Sequence, residues 1–179
     1  MSTARNQAQY QVRFDWGLEG AAAIAPGAHI VIWADALATA GAPDPAALAA
    51  GPAVVLGTVG NRAAVAQWVL AQQAERGDRA VIAVVAAGTD DGRFAVEDLL
   101  AAGAVIDAIA DVGIDFTSPE AAAAVGAYAG LRNAASHVLT ASVTGKELAA
   151  SGLQADIDAA RARNAESTLH VVREFSPES

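Results

Sequence analysis

The chain has no cysteine among its 179 residues. That excludes a disulfide framework, a thiolate zinc site and a cysteine nucleophile. Basic residues are scarce: 11 Lys and Arg stand against 20 Asp and Glu, a net charge of -9. No run of five basic residues exists, so the footprint that nucleic acid or an anionic membrane requires is missing. No apolar stretch reaches membrane-spanning length without glycine, proline or charge. The opening MSTARNQAQYQVRF has no apolar core of the kind a signal peptide needs. A soluble, cytoplasmic protein is therefore expected. There is no Gly-x-Ser-x-Gly elbow. His29, His137 and His170 show no ligand spacing and read as packed or surface residues.

What the chain has in abundance is small apolar residues. Hydrophobic residues make up 54% and aromatics only 5%. Alanine supplies much of the apolar fraction, which favours close approach of elements over bulky side-chain burial. The length fits one domain, 1–179, with a real core; residues 1–8 and the tail after Phe175 are expected to be disordered. Tyr10–Phe14 alternates like a half-buried strand. His29–Ala34, Ala53–Leu56 and Ala80–Val85 are buried strand runs. Leu18–Ala25 reads as a short helix closed by Pro26-Gly27. Ala40–Asp44 is a turn, and Asp44-Pro45 starts a short helix ending at Gly51. Asn61 is expected to cap a helix running to Arg76. Val96, Leu99, Leu100, Gly103 and Ile106 recur at helical spacing. Ser118-Pro119-Glu120 starts another helix, Leu131–Leu139 is helical, and Thr144–Glu147 matches a capping box. A helix over Gln154–Arg163 and a strand over Thr168–Val172 close the chain. This order predicts an α/β fold in three layers, α/β/α, around a mostly parallel or mixed sheet.

In such folds ligands gather at the carboxyl ends of strands. Asp35 ends a buried strand, where a carboxylate serves as metal ligand, general base or plain turn former. Asp90, Asp91, Glu97 and Asp98 form an acidic cluster at a strand–helix junction, suited to Mg²⁺ or to offsetting the helix dipole. Glu97 and Asp98 are neighbours, about 100° apart on a helix, so only one is expected to face the site. Gly57, Thr58, Asn61 and Arg62 lie between a strand and a helix N-terminus and are candidate phosphate contacts, or simply a tight turn.

These blocks resemble the 2-phosphosulfolactate phosphatase family. VRFDWGLEGAAAIAPGAHIVIWADAL is similar to its first helix and its strand ending in Asp-Val-Leu, here Asp35-Ala36-Leu37. VVLGTVGNRAAVAQWV is similar to its glycine turn and helix. VVAAGTDDGRFAVEDLLAAGAVIDA and SVTGKELAASGLQADIDAARARNAESTLHVV match in both identity and spacing. The resemblance implies Mg²⁺-dependent hydrolysis of a small anionic phosphoester. Asp35 and Glu97 are then the catalytic candidates, and Asp35, Glu97 and Asp98 the metal candidates. The chain also departs from the family. Ala38-Thr39-Ala40 replaces an arginine- or serine-containing turn. Only Gly41–Ala53 fills what is a long segment in relatives. Thr58, Gly60 and Thr89 replace other residues. The alternative is a divergent, non-catalytic relative that keeps the scaffold as a ligand-binding or oligomeric module. A homo-oligomer is expected either way.

Overall fold

The computed structural model describes residues 3–39, 41–89 and 91–176. Ala40 of the expected turn, Asp90 of the acidic cluster, residues 1–2 and the end of the tail lie outside the described residues.

Five strands form one sheet: β1 (Val12–Trp16), β2 (Ile30–Ala34), β3 (Ala53–Gly57), β4 (Ile82–Ala86) and β5 (His170–Arg173). Their order is β1-β4-β2-β3-β5. The first four are parallel, and β5 adds antiparallel to β3. The β-branched run of β2 lies between β3 and β4 and is buried along its whole length. That is the environment its sequence asks for.

Helices cover both faces. α1 (Gly17–Ile24) lies on one face, where Ala21 and Ile24 meet Val31, Trp33 and Val85. The other face carries α2 (Arg62–Arg76), α3 (Val96–Asp111) and α4 (Pro119–Leu131). It also carries α5 (Ala135–Ala141), α6 (Val143–Ala150) and α7 (Gln154–Ala165). α3 is buried on almost every side, so small residues are needed all round it. A Cβ on Gly103 would fall on the Ala124 carbonyl oxygen and within 2.9 Å of Tyr128 Cβ. This glycine therefore sets how closely α3 and α4 pack. The α1 face is thinly covered. Between α1 and the 45–52 segment runs an apolar groove of about 750 Å³, lined by Leu18, Ala21, Val31 and Leu48 among others.

Three local expectations need correction. The first strand sits two residues later than its alternation indicated, since it pairs in register with β4 as Val12 with Ile82 and Trp16 with Ala86. Thr3–Asn6 forms a 3-10 turn, and the Gln7 carboxamide donates to Phe14 O at 2.8 Å and accepts from Phe14 N at 3.0 Å. It stands in for a neighbouring strand at the sheet edge. The helix after Asp44 is only a 3-10 turn, Pro45–Ala47, although Asp44 caps it through Ala46 N. The cap of α6 is Ser142, which accepts from Gly145 N at 3.1 Å, and Thr144 lies inside the helix.

Candidate active site

The chain leaving β4 turns onto one face of the sheet as α3, while the chain leaving β2 reaches Leu48 on the other. β2 and β4 are neighbours, so a crevice opens beyond their carboxyl ends, the usual ligand position in an open α/β sheet. Asp35 follows β2 and lies half-buried there. Asp98, in the first turn of α3, closes the crevice floor. Its Oδ1 accepts from Ala36 N at 2.8 Å and its Oδ2 from Gly88 N at 2.9 Å. One carboxylate thus ties together the backbone leaving the two strands. Burial, and next the charge of Asp35, hold the Asp98 carboxyl well above the usual carboxylate range, with Glu97 adding to the shift. The two amide donors pull the other way.

Glu97 and Asp98 are both buried, each 3% exposed. The expectation that only one would face inward is corrected. α3 is enclosed on nearly all sides, so an angular separation of about 100° does not bring either residue to solvent. Glu97 Oε2 has no hydrogen-bond partner. A buried carboxylate oxygen in that state calls for a cation or a donor from outside the protein.

Asp35, Glu97 and Asp98 line one cavity of about 210 Å³, together with Asp91, Arg93 and Glu147. The 88–95 loop brings in Asp91 and Arg93. Gly88 takes a φ of 75° to start the loop, and Thr89 N donates to Arg93 O at 3.0 Å to close it. Phe94 packs against Trp16, the rings tilted by 46° with centroids 5.1 Å apart, and anchors the far side. Arg93 Nε donates to Asp91 Oδ2 at 2.7 Å, and its Nη2 lies 3.9 Å from Glu147 of α6. The Thr89 hydroxyl, and then Arg93, hold the Asp91 carboxyl below its usual range. Arg93 is a cavity cation that the sequence reading did not single out. Its only signal was a place in the same loop as the acids. Glu147 and Thr144 come from α6, and no local pattern links them to the site.

The expected three-carboxylate cage is not preformed: among the described residues no three acidic or histidine side chains are grouped to hold a metal ion. The donors nevertheless suit Mg²⁺. They are hard oxygens, one is orphaned, and Mg²⁺ is commonly held by one or two carboxylates with waters and phosphate completing its shell.

Gly57, Thr58, Asn61 and Arg62 do not line this cavity. A Cβ on Gly57 would lie 2.8 Å from Ile32 Cγ2 and 3.1 Å from Val105 Cγ2, so this glycine fills a packing constraint. Thr58 and Asn61 bond reciprocally, Thr58 N to Asn61 Oδ1 at 2.8 Å and Asn61 N to Thr58 Oγ1 at 3.1 Å. Asn61 Nδ2 donates to Leu56 O and Thr168 O. Asn61 does not cap α2 through its side chain, because its carboxamide is spent on the turn. Arg62 donates to Val59 O at 2.5 Å. The end of α7 lies over Gly60, where a Cβ would collide with the Asn164 and Glu166 carbonyls.

Behind the first cavity lies a second, of about 240 Å³, lined by Ala36, Val59, Glu97, Ser136, Arg161 and Asn164 among others. Glu97 is common to both. Asn164 Nδ2 donates to Ala36 O at 2.7 Å and Ala160 O at 2.9 Å, while its Oδ1 is buried without a partner.

No curated protein matches the chain. A family model described as 2-phosphosulpholactate phosphatase matches residues 29–175. The match takes in Asp35, the glycine turn, the 88–98 loop and helix start, and α4 to β5, and leaves out β1 and α1. The chain belongs to the 2-phosphosulpholactate phosphatase family.

Proposed function

We propose that the cavity at the ends of β2 and β4 hydrolyses a small anionic phosphomonoester with Mg²⁺. The observation that carries this is Glu97: a buried carboxylate with an unpartnered oxygen, sharing a cavity with Asp35 and Arg93. Arg93 binds phosphate oxygens through its planar donor set. Asp35 accepts a proton from the attacking water. The bond between phosphorus and the ester oxygen breaks, and that oxygen leaves with the proton returned from Asp35, giving an alcohol and inorganic phosphate. Asp35 and Glu97, with the remaining lone pairs of Asp98, are the groups that would hold Mg²⁺. The ion supplies charge neutralisation and water orientation when bound.

Purified protein with Mg²⁺ should release phosphate from small phosphomonoesters. Asp35→Asn should lower kcat by about 10²–10⁴-fold, the usual contribution of a positioned base. Arg93→Ala should mainly raise KM. Release no faster than in buffer, with no Mg²⁺-dependent rise in Tm, sinks the proposal and leaves the non-catalytic relative. The internally paired glycine turn favours that second reading, since its side-chain donors are already used. We also propose that the expected self-association uses the thinly covered α1 face.

A further inference from the structure

At β1, the edge strand of the sheet, lies a further cavity of about 400 Å³ that shares no lining residue with the two at the strand ends. Phe14, Trp16 and Phe94 line it. Their rings are set at angles rather than stacked: 74° between Phe14 and Trp16 and 46° between Trp16 and Phe94, with centroids 5.7 Å and 5.1 Å apart. Phe94 is 61% exposed, which leaves a large ring for a guest to cover. The polar side chains of the wall are already engaged. Gln7 spends its carboxamide on the Phe14 backbone, and Asp15 accepts from Trp16 N at 2.8 Å and from Arg5 Nε at 2.9 Å. Arg5 and Asp15 cancel in charge, so exposed Glu120 is the unbalanced charge of the lining.

We propose that this cavity binds a small quaternary ammonium compound. The faces of aromatic rings attract a cation placed over them, and Glu120 supplies the countercharge at the rim. A quaternary nitrogen carries no N–H, so it asks nothing of walls whose side-chain oxygens are taken. A primary ammonium would enter with three donors to satisfy. An anion would meet a net negative lining, and a neutral guest would leave the ring faces and Glu120 unused. Phe94 also ties this site to the first cavity, because its neighbours Arg93 and Ala95 line that one. A bound cation therefore braces the loop that carries Arg93.

Calorimetric titration of the full chain with three probes tests this: choline, 3,3-dimethylbutan-1-ol and ethanolamine. The second keeps the shape of choline without its charge, and the third keeps the charge without the methyl shell. No phosphoester is present, so the outcome is independent of the phosphatase reading. Choline should bind about ten-fold more tightly than either of the others. Phe94→Ala should weaken choline about ten-fold, and Glu120→Gln about three-fold without affecting the neutral alcohol. Both residues are exposed, so neither change disturbs the core. Choline should also slow backbone amide exchange over residues 91–95, and unchanged exchange would break the link with the loop. Equal binding of the neutral alcohol makes the cavity merely apolar and overturns the assignment. Equal binding of ethanolamine, unaltered choline affinity in Phe94→Ala, or no saturation by about 10 mM choline overturns it too.

Discussion

At the scale of single residues, buried polar groups here have two fates. Most are tied to backbone. Arg13, 5% exposed, donates to Ile24 O and Pro26 O and so closes the carboxyl end of α1. His29 accepts from Val81 N at 2.9 Å through Nδ1. Burial, and then the charge of Arg76, push its imidazole below the usual range. The fold thus favours neutral histidine. The stability this contributes is present above about pH 6.5, the unfolded value, and is lost as pH falls through the lower folded value. His29→Asn keeps an acceptor for Val81 N and cannot titrate. Its Tm should fall less than that of wild type between pH 7 and 5, and identical slopes would refute the role of His29. Three exceptions stand among the described residues: Trp33, whose Nε1 is unpartnered in the core, and Glu97 and Asn164, which keep unpartnered oxygens at the two cavities. Asp35, Glu97 and Asp98 were legible as candidates because strand ends and helix starts are local features. Arg161 and Asn164 were not, because α7 reaches Ala36 across more than a hundred residues of sequence.

At the scale of elements, the strands were legible because β-branched runs mark buried parallel strands wherever they fall. Their ends were not, since pairing decides them. Tyr10 looked like the start of β1, but register with β4 begins at Val12. Caps were legible where one residue type and one helix start coincide, as at Ser118, whose Oγ accepts from Ala121 N. They failed where a tertiary partner competes, as at Asn61, whose Nδ2 reaches Thr168. The α3–α4 contact offers a direct test. Gly103→Ala places a methyl group against the Ala124 carbonyl, and overpacking of this kind costs about 1–3 kcal/mol. Tm should drop by about 2–4 °C per kcal/mol for a domain of this size. An unchanged Tm would mean that the two helices separate without penalty.

At the scale of the whole molecule, the two sides of the sheet are covered unequally. Among the described residues, six α-helices lie over one face, while α1 and a 3-10 turn lie over the other. Leu18, 45% exposed, lines the groove on the thin side. If that face joins two copies, wild type should sediment above its 18.0 kDa chain mass and Leu18→Glu should sediment as a monomer. A monomeric wild type removes the idea. The placement of α7 has a consequence of its own. Its last turn rests on Gly60 and holds the Ala36 carbonyl through Asn164. Chains emerge from the N-terminus at about 5–20 residues per second and fold in that order. The first four strands and α1 to α6 are therefore made before the rear wall of the second cavity exists. A chain released early would retain Asp35, Glu97 and Asp98 but leave the crevice open behind them. Such a product would open to water a carboxylate, Glu97, that the full chain keeps 3% exposed.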